Sequence, residues 1–180
     1  NGSVLLNHGP SKDSAVNIVG KGVGFFLTPR ARAAWSDAEK WQQTFGHRIA
    51  AIRLKLKDRK DKPVLIYLVS AYAPHSGLSK REKENYEEQL QLCIDSAQQR
   101  DIIIIGTDAN ASLGVRQGQE KDCAWGRFGI SESNNVGSAL HQFLCSNELS
   151  AVSTFFRKKH YATFFSTLTQ KHLKLERSGK

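Results

Sequence analysis

Asp101-Ile102-Ile103-Ile104-Ile105-Gly106-Thr107-Asp108-Ala109-Asn110-Ala111 is the stretch on which the fold turns. Four consecutive branched aliphatic residues have the propensity and the low polarity of a buried strand. The run ends on small residues and then presents a carboxylate and an amide two positions apart. On an extended backbone, positions i and i+2 project to the same side, so Asp108 and Asn110 are placed to address one phosphate or one hydrated cation. Asp and Asn leaving a strand also suit a plain turn, because each can bond its own backbone and tolerates left-handed angles. On this stretch alone both readings stand.

Upstream, Ser79 to Gln99 is the clearest helix. Ser79 and Glu82 have the spacing of a capping box, and Tyr86, Leu90, Cys93, Ile94 and Ala97 recur at helical period as a core-packing stripe. Before it, Val64 to Pro74 is apolar on both sides, as a central strand covered on both faces must be. Arg48 to Lys57 alternates: Ile52, Leu54 and Leu56 share one face, while Arg53, Lys55 and Lys57 share a face expected to meet water. Asp58 to Pro63 joins these strands as a charged hairpin connection. Ile18 to Leu27 reads as a strand or strand pair. Gly20, Gly22 and Gly24 there lack the Gly-Lys-Ser/Thr ending of a phosphate loop and are better explained as glycines of a twisted strand. Asn1 to Asn17 is polar and irregular, and Thr28 to Phe45 is helical or irregular with Trp35 and Trp41 as packing anchors.

Downstream, Ser112 to Gly137 is a long connection rich in Gly, Ser and Asn, a length usually functional or mobile. Gly137 to Asn147 reads as a helix with Leu140, Phe143 and Leu144 inward. Leu149 to Phe156 reads as a further strand, and Arg157 to Lys180 is basic and less patterned. There is no internal repeat, linker or low-complexity tract.

A chain of 180 residues with 39% hydrophobic and 24% charged side chains has globular composition and room for one domain with a sizeable core. The formal charge of +9 favours an anionic partner, nucleic acid ahead of membrane, since no basic amphipathic helix with a broad apolar face occurs. Cys93, Cys123 and Cys145 are odd in number, scattered and without C-x-x-C spacing. That argues against a disulfide framework and a zinc site, and for a reducing, intracellular home, the nucleus included. No apolar run approaches a membrane span.

In order along the chain come Gly22-Val23-Gly24-Phe25-Phe26-Leu27, Arg48-Ile49-Ala50, Ser70-Ala71-Tyr72-Ala73-Pro74, Asp108-Ala109-Asn110-Ala111, Gly126-Arg127-Phe128-Gly129 and Ser153-Thr154-Phe155-Phe156. This series resembles the endonuclease/exonuclease/phosphatase superfamily, and most closely its retrotransposon-type endonucleases and craniofacial-development-protein-2-like members. The resemblance spans nearly the whole chain. It implies an α/β fold, a four-layer sandwich of two packed mixed β-sheets flanked by helices (DNase I-like), here a single incomplete domain over 1–180. Alternating half-buried and fully buried strands with amphipathic helices between them agree with that architecture.

Position by position, the resemblance implies that Asp108 orients or deprotonates an attacking water, that Asn110 holds the scissile phosphate, and that Tyr72 points its hydroxyl at the same group. It implies Mg²⁺ or Mn²⁺ as cofactor and nucleic acid, most readily DNA, as substrate. Neutral donors and a metal suit the negative charge that builds on a phosphodiester during in-line attack. Arg48 matches an Arg that opens the family strand, and His75 and His160 lie near the right loops; a solvated edge or an exposed loop explains them equally well, and all three stay outside the catalytic set.

The departures are as informative. Thr107 and Ala109 stand where the family has Gly and an aromatic residue. Position 109 faces away from the carboxylate, so Ala109 loosens packing without removing a catalytic group. Thr163-Phe164 stands where the family often has Thr-Trp. The family Glu that binds metal has no match before Gly22, and the closing Ser-Asp-His is absent by Lys180, so the metal ligands are unassigned. With no Met at position 1 or elsewhere, the chain is expected to be an internal fragment or decayed copy, weak or inactive alone. A non-catalytic nucleic-acid-binding remnant held by Arg157-Lys158-Lys159-His160 and the basic end is the second expectation, and a lipid or inositol phosphate phosphatase of the same superfamily the third.

Overall fold

The computed structural model describes residues 2–8, 22–115, 124–129 and 132–158. The chain divides into two compact units, Asn1–Asn110 and Ala111–Lys180.

The first unit is built on β5 (Pro63–Tyr72), whose apolar residues on both sides place it inside a four-stranded sheet ordered β3 (Gln42–Thr44), β4 (Ile49–Lys57), β5, β6 (Asp101–Asp108). The β4–β5 pair is antiparallel across the Asp58–Lys62 turn, where Asp58 Oδ1 accepts from the Lys60 and Lys62 N–H groups at 2.7 and 2.8 Å. β6 runs parallel to β5, a pairing that no hairpin can make and that α2 (Lys80–Asp95) bridges as the crossover. The expected capping box is present: Glu82 N–H donates to Ser79 Oγ at 3.3 Å, and Ser79 N–H to Glu82 Oε2 at 3.0 Å. Such a cap is worth about 1 kcal/mol.

One sheet face buries Ala50, Ile52 and Leu54 against Phe25, Leu27, Ala34 and Trp35. The covering residues come from α1 (Pro29–Asp37), capped by Thr28, and from a second, two-stranded antiparallel sheet of β1 (Val4–Asn7) and β2 (Gly24–Leu27). Val4 to Asn7 lies in the segment read as irregular. Four residues carry too little periodicity to announce a strand, and pairing with Gly24–Leu27, remote in sequence, makes it one. Gly24 is a strand glycine as expected, since a Cβ there would collide with the Leu6 carbonyl oxygen. Residues 9–21, including Gly20, lie outside the described residues. Among the described residues the result is a mixed α/β fold of a four-stranded mixed sheet, a two-stranded sheet and three helices, consistent with an α/β sandwich.

His8, which follows β1, stands edge-on to Phe25 with ring centroids 6.2 Å apart, and its buried Nε2 has no hydrogen-bond partner among the described residues. Burial holds its pKa below the ordinary 6.5. As pH falls below that value the unfolded chain takes up a proton that the folded chain still refuses, so stability present at neutral pH declines until the lowered folded value is reached. Thermal melts across this window should show Tm falling with acidification. His8→Phe should flatten that slope; an unchanged slope would dissociate His8 from it.

The opposite face packs on α2, which buries Leu90, Cys93 and Ile94. Tyr67, fully buried, donates its hydroxyl to the Cys93 carbonyl at 2.9 Å. Arg53 was expected on a face meeting water; instead its Nε lies 3.1 Å from Asp101 Oδ2 and its guanidinium 4.2 Å from the Trp41 ring centroid. The alternation of β4 was legible, but not that Trp41 and β6 would close over its charged side. Burial pushes the Cys93 thiol up to about 11, whereas Cys145 is exposed. Peptide-mapped alkylation of the native protein should therefore label Cys145 and spare Cys93 until denaturant is added; fast native labelling of Cys93 would contradict this packing.

β6 departs from the expected fully buried strand. It is the sheet's edge, and Ile102 and Ile104 are 52% and 46% exposed while Ile103 and Ile105 on the other face are half-buried. An apolar run records that some cover exists in the fold, not on which face it lies.

In the second unit α3 (Asn135–Ser146) begins at the Asn134 cap, whose Oδ1 accepts from the Gly137 N–H at 2.7 Å; Leu144 is buried, with Leu140 and Phe143 half-buried. The strand expected over Leu149–Phe156 is instead a 3-10 turn at Val152–Thr154, preceded by a single bridge between Ala151 and Trp125. Two β-branched residues and two Phe suggest a strand by propensity, but Thr154 Oγ1 closes the turn by donating to the Ala151 carbonyl at 2.7 Å. Thr163, Phe164 and the rest of 159–180 lie outside the described residues.

Candidate functional site

β5 and β6 end side by side, with Tyr72 directly opposite Asp108 in the parallel register. Registered residues of neighbouring strands project to the same side of the sheet, so the phenol and the carboxylate share one rim. Both are exposed, Tyr72 by 39%. The rim is tied down by backbone: Tyr72 N–H donates to the Arg48 carbonyl and Ala73 N–H to the Asp108 carbonyl, each at 2.9 Å.

Asn110 reaches the same rim, but not by strand alternation. Its φ of 47° is left-handed and the strand has already ended at Asp108. Its N–H donates to Asp108 Oδ1 at 3.1 Å, and its Nδ2 donates to the Ala73 carbonyl beside Tyr72 at 2.8 Å. The turn reading and the site reading of Gly-x-Asp-x-Asn are thus both realised: the turn folds the amide across to β5. One amide N–H is used in holding Ala73, and the second N–H and Asp108 Oδ2 have no partner among the described residues.

Two further residues belong to this neighbourhood. Arg48 Nη1 donates to the Tyr72 carbonyl at 3.4 Å, and its guanidinium carbon is 5.5 Å from the centre of the Tyr72 ring. The sequence offered one signal for this, the position of Arg48 just before β4, at the end that pairs with Tyr72. Tyr86, read only as core stripe, has its pKa raised by burial, with Thr107 beside Asp108 and the Arg48 charge opposing the rise. His75 stays apart: its Nδ1 accepts from the Gly77 N–H at 3.1 Å and shapes the following turn. Ala109 is half-buried, and His160 lies outside the described residues.

The donors among the described residues do not by themselves assemble a site for a resident Mg²⁺ or Mn²⁺. Among the described residues no three His, Cys, Asp or Glu side chains converge, and of the rim groups only Asp108 is a carboxylate. What the rim can do by itself is accept a proton at Asp108 and donate hydrogen bonds from Tyr72, Asn110 and Arg48 to an oxyanion.

The chain is 30% identical over 97 residues to Craniofacial development protein 2 of Bos taurus, a stretch that covers 54% of this chain and 16% of that protein. It therefore spans about a sixth of the length of the relative it matches. No protein-family model and no solved structure matches the chain. The similarity falls on one of the groups that the motif order resembles.

Proposed function

We propose that the first unit carries the phosphate-facing part of a phosphodiesterase centre that acts on nucleic acid, DNA in the first instance. The observation that supports this is the rim itself: a carboxylate, a phenol and an amide from two neighbouring strand ends, with a guanidinium against the phenol. In an in-line attack Asp108 Oδ2 accepts the proton of the entering water as its oxygen bonds to phosphorus; the P–O ester bond opposite breaks, and the departing sugar oxygen takes a proton from solvent. The Tyr72 hydroxyl and the second Asn110 N–H donate to the non-bridging oxygens, and Arg48 balances their charge. No step is assigned to a metal ion, because the described residues do not assemble its ligands. The surplus of positive charge, +9, suits a polymeric anion.

A second reading, a nucleic-acid binder without catalysis, is favoured by that missing ligand set. Incubation with supercoiled plasmid, with and without a divalent salt, separates the two. Open circles that vanish with Asp108→Ala support the enzyme. Intact plasmid with salt-dependent binding supports the binder and ends the phosphodiesterase reading.

A further inference from the structure

In the second unit, residues 124–129 and 151–158 are stitched into one surface. Ala151 N–H donates to the Ala124 carbonyl at 2.6 Å, Phe128 N–H to the Thr154 carbonyl at 2.9 Å, and Gly126 N–H to Thr154 Oγ1 at 2.6 Å. Gly126 permits this closeness, since a Cβ there would stand 2.7 Å from Phe155 Cα. The stitching sets Arg127-Phe128 beside Phe155-Phe156.

Apolar groups are left in water here. Val152, Phe155 and Phe156 are 64%, 41% and 64% exposed. Cations are interleaved with them: the Arg127 guanidinium carbon lies 5.3 Å from the Phe128 ring centre, and exposed Arg157 follows Phe156 directly. Neither segment contains an Asp or Glu. Exposed rings alone would suit many partners, but rings alternating with guanidinium groups and no acid match a chain of bases joined by phosphates. Every base offers a π-face, and every phosphate offers an anion.

We propose that this patch is a stacking platform for single-stranded nucleic acid, with Phe155 and Phe156 receiving bases and Arg127 and Arg157 receiving phosphates. It rests on the reading that the partner is nucleic acid, and it is independent of whether the Asp108 rim cuts.

The test is fluorescence anisotropy of a labelled oligodeoxythymidylate and of a hairpin duplex, titrated with the full chain over a range of salt. Phe156→Ala should weaken binding of the single strand about tenfold or more without changing its salt slope. Phe156→Tyr should restore it, and duplex binding should be unaffected. Arg157→Gln should lower the salt slope by about 0.7, the loss of one phosphate contact on a single strand. If the parent chain binds neither oligonucleotide, the nucleic-acid reading itself fails. If the parent binds and Phe156→Ala binds equally well, or loses single strand and duplex alike, the platform is overturned while the partner stands. A parent chain that binds through Phe156 but never nicks plasmid separates the platform from the phosphodiesterase.

Discussion

Arg53→Met should lower the unfolding free energy by about 3–5 kcal/mol, the cost of stripping a buried charge of its partner. The Asp101 side chain is 0% exposed and its Oδ1 has no hydrogen-bond partner among the described residues. Its Oδ2 takes the Arg53 Nε at 3.1 Å and the Gln98 N–H at 2.8 Å. Arg53 also donates from Nη2 to the Ser96 carbonyl at 2.9 Å and lies over Trp41 and Tyr67. Methionine keeps much of the packing on the rings but leaves a carboxylate in the interior with one amide donor. Arg53→Met combined with Asp101→Leu should recover most of the loss, because removing both partners deletes the desolvated charge together with its counter-ion. Denaturant midpoints of the three proteins decide it; a single variant as stable as its parent would show that the pair contributes nothing to the fold.

The second large effect is on chemistry and presupposes the proposed phosphodiesterase. Asp108→Asn should reduce nicking by about 10²–10⁴-fold, the range for removing a general base. The substitution is conservative locally: Asn retains an oxygen for the Asn110 N–H, and position 108 is exposed, so melting should hardly change. Tyr72→Phe removes one donor to the developing oxyanion and should cost up to about 10²–10³-fold, again with little loss of stability because the ring is partly exposed. Unaltered nicking in Asp108→Asn would remove Asp108 from the mechanism.

The strands β4, β5 and β6 and the helix α2 were legible because each carries a local pattern: alternation, an apolar run, a capping box. The candidate site residues were picked out for the same reason, as a carboxylate closing one strand, an amide just beyond it and a tyrosine at the end of another. What could not be read was where cover falls. The side of β4 bearing Arg53 looked solvated and is closed by Trp41 and Asp101, and the run Ile102–Ile105 looked buried but forms an edge with one face uncovered. Val4–Asn7 carried no pattern because its strand character comes from pairing with Gly24–Leu27. Thr154 turned an expected strand into a turn through a single side-chain bond.

By itself, the order of residues determined which segments extend, which coil, and which polar groups stand at strand ends, because backbone propensity and side-chain period act over a few neighbours. Only the tertiary structure decided that Tyr72 lies opposite Asp108, that Asn110 folds back to Ala73 and that Arg48 rests on the phenol. Those contacts join residues far apart in the chain, and their geometry is set by strand register and by the helix crossing between β5 and β6, neither of which any local stretch encodes.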